Sequence, residues 1–420
     1  MKKSALMAIL CMLWGACPAS VSAQEIQLQE PDGGRLECLT EEGEEEAELL
    51  MQASGVFSHM PYKDAKYSLT YRIDLSGVRI TGYSGKAEGE LVIPAEIDGV
   101  TVYAIEYGAL RDCSGFTGSL KLPEGLTSIG DYAFSGCKGF TGNLELPESL
   151  TRIGNYAFRN CGFTGNLELP EGLTSIGNSA FIYCGFTGNL ELPKSLISIG
   201  NYAFSGCKGF TGSLKLPESL TNIGDYAFAS CAGFSGSLEL PKGLTGIGND
   251  VFSNCGFTGS LKLPEGLINI GNSAFAHCKG FTGNLELPEG LTSIGNSAFT
   301  ECGFTGSLKL PKGLISIGNS AFGYCKGFTG NLELPEGLTS IGDYTFANCV
   351  GLTGSLELPK GLTSIGNSAF SGCKGFTGNL ELPEGLTSIG NSAFLGCKGF
   401  TGNLELPKGL TDIGDYTFAN

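Results

Sequence analysis

The hydrophobic and polar positions of this chain recur in one unit, seen most plainly in residues 118–141, GSLKLPEGLTSIGDYAFSGCKGFT. Leu120 and Leu122 alternate with Ser119 and Lys121, the period-two pattern of a strand with one buried face. Pro123 has no N–H with which to continue a ladder, so the strand is expected to stop there. Leu126 and Ile129 carry the chain back over the core, and Gly130 is expected to permit a tight bend. Asp131, matched by Asn155, Asn178 and Asn201, has the character of an N-cap and predicts a short helical turn over Ala133, Phe134 and Cys137. Gly139, Phe140 and Gly142 close the unit.

The Leu-x-Leu-Pro signature that ends at Pro123 returns at Pro147, Pro170, Pro193 and onward to Pro407, with a period of 23 or 24 residues. Periods of this size mean a solenoid. One unit buries too little apolar surface to offset the cost of ordering it, so each is expected to fold only by stacking on its neighbours. The shorter units drop the residue after the cysteine, as in Cys161-Gly162, Cys184-Gly185, Cys255-Gly256 and Cys302-Gly303. A length change confined to that bend marks it as an exposed loop.

The start of the chain departs from the repeat. Lys2 and Lys3 precede an apolar run over residues 5–14, then Pro18 and Val21-Ser22-Ala23, which reads as a secretory signal peptide over residues 1–23, cleaved after Ala23. The run is far shorter than the roughly 20 residues needed to span a bilayer. Lipoprotein cleavage before Cys17 is disfavoured by Trp14, where a branched aliphatic is expected, and by Pro18. Residues 24–66 read as an acidic linker, with Glu41, Glu42, Glu44, Glu45, Glu46 and Glu48 as a solvated spacer. Tyr67, Leu69 and Tyr71 alternate, and Val78, Ile80 and Tyr83 follow a turn at Ser76-Gly77. This predicts a β-hairpin that shields the first coil, within a cap and first degenerate repeat over residues 67–112. Residues 113–420 are the tandem units, the last incomplete because the chain stops at Asn420 where the next cysteine is due. That open end is read either as a truncation or as a surface for self-association.

Charge and cysteine usage narrow the function classes. A net charge of -16 and a pI near 4.7 argue against nucleic acid or an anionic membrane as partner. Of 16 cysteines, Cys11 and Cys17 leave with the signal peptide, Cys38 stands alone, and the rest fall once per unit from Cys113 to Cys397. In-register side chains on stacked coils run parallel at about 4.8 Å. A disulfide needs converging Cβ atoms about 3.8 Å apart, so a column of buried free thiols is expected. No CxxC or Cys/His pairing offers a metal site, and no cofactor site is read. His59 and His277, the only histidines, have no catalytic companions, and the glycine-rich segments lack the context of a phosphate loop. An enzyme would need an appended domain.

The run GELVIPAEIDGVTVYAIEYGALRDC, residues 89–113, together with the later LPEGLTSIGDYAFSGC pattern, resembles the BspA-like class of leucine-rich repeat. The shared features are a strand ending in Ile-Pro, a following Ile-Gly, and an Ala-Phe-x-x-Cys turn. The resemblance covers residues 67–420, with departures at Ala109-Leu110, where Ala-Phe is expected, and in the longer Phe140-to-Leu144 spacing. It implies a right-handed, leucine-rich-repeat solenoid of parallel β-strands joined by short helical or irregular turns, on secreted or surface proteins often associated with adhesion.

Strand alternation then indicates a ligand-binding face. Opposite the buried leucines a column forms from Lys121, Glu145, Glu168, Glu191, Lys215, Glu239, Lys262, Glu286, Lys309, Glu333, Glu357, Glu381 and Glu405. Read functionally, it is a long polar surface for a protein ligand, such as a host extracellular-matrix or neighbouring-cell protein, held by many weak contacts. Read structurally, it is a solvated face that resists edge pairing. The alternative to an adhesion module is a structural stalk or self-associating filament subunit.

Overall fold

The computed structural model describes residues 58–61 and 67–419; residues 1–23 and the acidic cluster of residues 41–48 lie outside this range. Strand β1 (Ser58–Pro61) pairs antiparallel with β2 (Tyr67–Asp74), which forms the expected hairpin with β3 (Gly77–Gly85). After β4 (Gly89–Val92) and the short β5 (Glu96–Ile97), strand β6 (Val100–Ile105) lies parallel to β3, with Val78 opposite Val102 and Ile80 opposite Ile105. That junction turns an antiparallel cap into a parallel stack. Strand β7 (Phe116–Lys121) pairs with β4 and places Leu120 beside Leu91.

From β7 onward the coils stack into two parallel ladders. One is the Leu-x-Leu ladder, in which Leu144 and Glu145 pair with Leu167 and Glu168, and Leu238 and Glu239 pair with Leu261 and Lys262. Its strands are two residues long or single bridges, shorter than the alternation suggests, because the proline after the second leucine ends the pairing. The other ladder consists of pairs ending in isoleucine, most of them Ser-Ile, running from Ile105 to Ile129, Ile153, Ile176, Ile199 and Ile223 in one sheet. It continues in two further sheets as far as Ile413. The sequence pattern treats Ile129 and its equivalents as mere return points, yet they carry the more continuous sheet. Isoleucine suits this role because its branched side chain packs well on a pleated, half-buried surface.

No helix occurs among the described residues, so the turn after each Asn or Asp is irregular rather than helical. The residue after the expected cap has left-handed backbone, φ 59 at Tyr132 and 56 at Tyr156, which an α-helix cannot absorb. Backbone N–H groups in this turn point to the next coil instead: Tyr132 N–H donates to Asn155 O and Phe134 N–H to Ala157 O, each at 2.8 Å. Asp131 is correspondingly not an N-cap. Its Oδ1 accepts from the N–H of Asn155 at 2.8 Å, Asn155 Oδ1 accepts from Asn178, and the relay runs on to Asn391 and Asp415. Gly130 is not left-handed either; a Cβ there would stand 2.8 Å from the Glu106 carbonyl carbon, and one at Gly154 would stand 2.6 Å from that of Gly130. Glycine at this position therefore serves close coil-to-coil approach rather than a bend.

The core is two piles of phenylalanine flanked by leucine, isoleucine and cysteine. In the first, Phe134 and Phe158 stack with centroids 5.2 Å apart and planes 7° off parallel, and the pile continues to Phe394 and Phe418. In the second, Phe140 stacks on Phe163 at 5.3 Å, and Leu352 interrupts the series between Phe328 and Phe376. Within a coil the two rings meet edge to face, 6.4 Å for Phe134 and Phe140. Both arrangements are the favourable ones for aromatic quadrupoles.

Every cysteine from Cys113 to Cys397 is buried and free. The thiols are placed by the turn: Cys161 Sγ donates to Phe134 O of the preceding coil at 3.0 Å, and the same bond recurs through Cys397 to Phe370 O at 3.1 Å. Burial pushes the thiols of Cys184, Cys231 and Cys278 up to about 12. They are therefore neutral donors at physiological pH.

Two outcomes follow from these ladders. Asn272→Ala removes the acceptor for the exposed Asn296 N–H and is expected to destabilise by about 0.5–1.5 kcal/mol. Asn272→Asp should be near neutral in urea unfolding, because Asp131, Asp225 and Asp343 already fill that role. The thiol pKa values stand above the unfolded value near 8.5, so the stability tied to them is complete below that pH and is lost as pH climbs toward 12. Urea midpoints measured from pH 7 to 11 should stay flat and then fall, and thiol-reactive dye should label the native protein far more slowly than the denatured one.

Candidate functional site

The strand-face column is built by the Leu-x-Leu ladder. Its thirteen residues from Lys121 to Glu405 are all exposed, because each up to Glu381 lies between two leucines turned toward the core; Leu404 and Leu406, around Glu405, are exposed on the last coil. In-register pairing joins Glu145 to Glu168, Glu168 to Glu191, Glu191 to Lys215, Glu239 to Lys262, Lys309 to Glu333 and Glu333 to Glu357. Glu286, Glu381 and Glu405 take the same place in their coils without a paired strand at that residue. The column begins one coil before Lys121, at Val92 of β4.

One pair of opposite charges in the column is in direct contact, and the first lysine of the column reaches a neighbouring glutamate of β4. Lys262 Nζ donates to Glu239 Oε1 at 2.5 Å, which lowers the glutamate's pKa and raises the lysine's. Lys121 Nζ lies 3.2 Å from Glu90 Oε1. Glu145, Glu168 and Glu191 instead face like charge, a mildly destabilising arrangement on adjacent strands.

A second charged column escapes the alternation argument. The residue after each proline is also exposed and charged, so Glu148 and Glu171 lie one turn on from Glu145 and Glu168. Together they make a patch of four carboxylates, followed by Glu191 with Lys194. The signal was present as the Pro-Glu or Pro-Lys pair in every unit, but only the stacking of coils shows that the two columns run side by side.

The turn edge carries a different chemistry. Tyr107 is 69% exposed and tilts against Tyr132, and Arg111 lies over the Tyr132 ring at 5.3 Å. Tyr183, Tyr202, Tyr324 and Tyr344 are also exposed on this edge. His277 belongs to it too: His277 Nδ1 is 3.3 Å and Lys279 Nζ 2.8 Å from Glu301 Oε2. The Lys279 and His277 contacts hold the Glu301 carboxyl below its usual range. This is a polar cluster on the turn edge whose ion pair is Lys279 with Glu301. His59 lies in β1, where its side chain is outside the description.

Arrangement and chemistry together make a surface suited to extended contact. No group of three or more His, Cys, Asp or Glu side chains converges to hold a metal ion among the described residues. Nor is any helix there long and apolar enough to cross a membrane.

Comparison with known proteins fits this architecture. No curated protein matches the chain. Among solved structures, a leucine-rich repeat protein from Bacteroides ovatus superposes with a TM-score of 0.60 at 25% identity, covering 85% of this chain and 91% of that one. A leucine rich cell surface protein from Faecalibacterium prausnitzii gives 0.50 at 24% identity, over 85% of this chain and 95% of that one. The family model for the BspA type leucine rich repeat region matches residues 103–235, 176–305, 212–329 and 324–420, which together take in well over half of the sequence. The chain therefore belongs to the BspA-type leucine-rich repeat family.

Proposed function

We propose that the protein is a secreted or cell-surface interaction module of the adhesin kind, non-catalytic, that holds a protein ligand on its strand face. The observation that carries this reading is the column itself: an exposed charged residue in every coil from Lys121 to Glu405, in register over much of its length and flanked by a second charged column. A stack that repeats one contact along its length gains affinity by multiplicity rather than by a single pocket. The carboxylate patch of Glu145, Glu148, Glu168 and Glu171 suits a partner with basic groups, such as a host extracellular-matrix or neighbouring-cell surface protein. Export is supported by the signal-peptide pattern of residues 1–23 and by family membership.

The near-identical rungs also suit a stalk or filament subunit, in which the solenoid acts as a spacer. Charge reversal separates the two readings. Replacing Glu333, Glu357, Glu381 and Glu405 by Lys should leave the unfolding midpoint within the usual range of surface changes. It should also abolish capture of matrix or cell-surface proteins by the immobilised chain, and capture by the unaltered chain should weaken with added salt. Unchanged capture would move the site off the column, and concentration-dependent oligomers without capture would favour the stalk.

A further inference from the structure

On the turn edge, the residue after the Asn or Asp acceptor is Tyr132, Tyr156, Ser179, Tyr202 and Tyr226 in five successive coils. Tyr132 and Tyr156 stack with centroids 4.6 Å apart and planes 14° off parallel. Tyr202 and Tyr226 stack at 4.5 Å and 5°. Ser179 stands where the middle ring of a five-ring pile would lie. Tyr156 and Tyr202 are therefore two rungs apart, about 9.5 Å at the spacing of parallel strands. Inserting one ring between them would restore the spacing of the two existing stacks.

The backbone beneath this gap is continuous. The five residues share left-handed φ values of 59, 56, 54, 57 and 60, so Ser179 forms the floor of a slot rather than a break in the turn. It is only 4% exposed, whereas Ser273, Ser297 and Ser320, which occupy the same position without tyrosines on both sides, are partly buried.

The fold itself does not call for these tyrosines. Left-handed backbone is costly for a bulky residue, and the coils of Ser273, Ser297 and Ser320 form the same turn with a small side chain. Tyr183 adds to the aromatic surface: it is 62% exposed and leans over Gly206, where a Cβ would stand 2.5 Å from its ring. Arg159 lies over the Tyr156 ring at 5.8 Å. Tyrosine and arginine are the side chains that most often anchor protein interfaces.

We propose that the slot over Ser179, between Tyr156 and Tyr202, receives one planar aromatic side chain from a protein partner, with Tyr183 and Arg159 at its rim. The inserted ring completes the pile at the 4.5–7 Å offset spacing that aromatic pairs prefer. The inference rests on the reading of the chain as an interaction module but does not involve the strand-face column, and its probe is a single side chain rather than a whole partner, so the two can fail separately.

The test is saturation-transfer NMR on the full chain with N-acetyl-L-tyrosinamide, for which a lone ring predicts a Kd on the order of millimolar. Ser179→Tyr installs the residue that the neighbouring coils already carry with the same backbone, so it should keep the unfolding midpoint and lose the transfer. Tyr202→Ala should weaken binding by roughly tenfold or more. Tyr344→Ala, on the same edge between Ser320 and Ser368, should bind as the unaltered chain does. Undiminished transfer in Ser179→Tyr, no transfer to the unaltered chain, or transfer to methyl glucoside in place of the amide would each overturn the proposal.

Discussion

The hydrogen bond from one coil's backbone to the next is what the rest of the structure depends on. Between the hairpin cap and the last rung, each strand except the short β5 pairs with a strand one coil away. The turns are also tied across coils, by Asn and Asp oxygens, by cysteine thiols and by backbone carbonyls. A solenoid of this kind can leave almost no side-chain freedom at the positions that make those bonds, and this explains the monotony of the sequence. Variation is confined to positions whose side chains leave the stack: the strand face, the residue after proline and the turn edge.

This division explains what could be read from the amino acids. The Leu-x-Leu alternation, the phenylalanines and the lone cysteine per unit give a parallel solenoid with a buried thiol column, because inward positions recur with the period of the coil. The Ser-Ile ladder was not legible: two residues are too few to display an alternation, and Ile129 alone looks like any apolar return point. Asp131 was misread for a related reason. Within a single unit an Asx residue before Ala-Phe looks like a local helix cap, and its acceptor role becomes visible only when the donor, 24 residues away at Asn155, is brought alongside.

Surface columns follow the same logic with a further loss of information. Strand alternation tells which side of Glu145 faces solvent, so the thirteen exposed residues were nameable in advance. Neither the proximity of the post-proline column nor the stacking of Tyr132 on Tyr156 is encoded locally. Both are products of register between coils, and register is fixed by the buried ladders rather than by the exposed residues themselves.

The interruption of the second phenylalanine pile at Leu352 shows how this architecture tolerates change. Leucine fills the same buried place, and the coil keeps its asparagine relay, its thiol bond and its isoleucine rung. Each coil thus carries an interchangeable set of joints, the same upward as downward. Removing or inserting a whole unit of 23 or 24 residues would bring together two coils whose joints already match, whereas removing part of one would leave donors without acceptors. Recombination between the near-identical segments of such a gene would be filtered by that rule, so its products would differ in reach by whole coils while every surviving seam stayed closed.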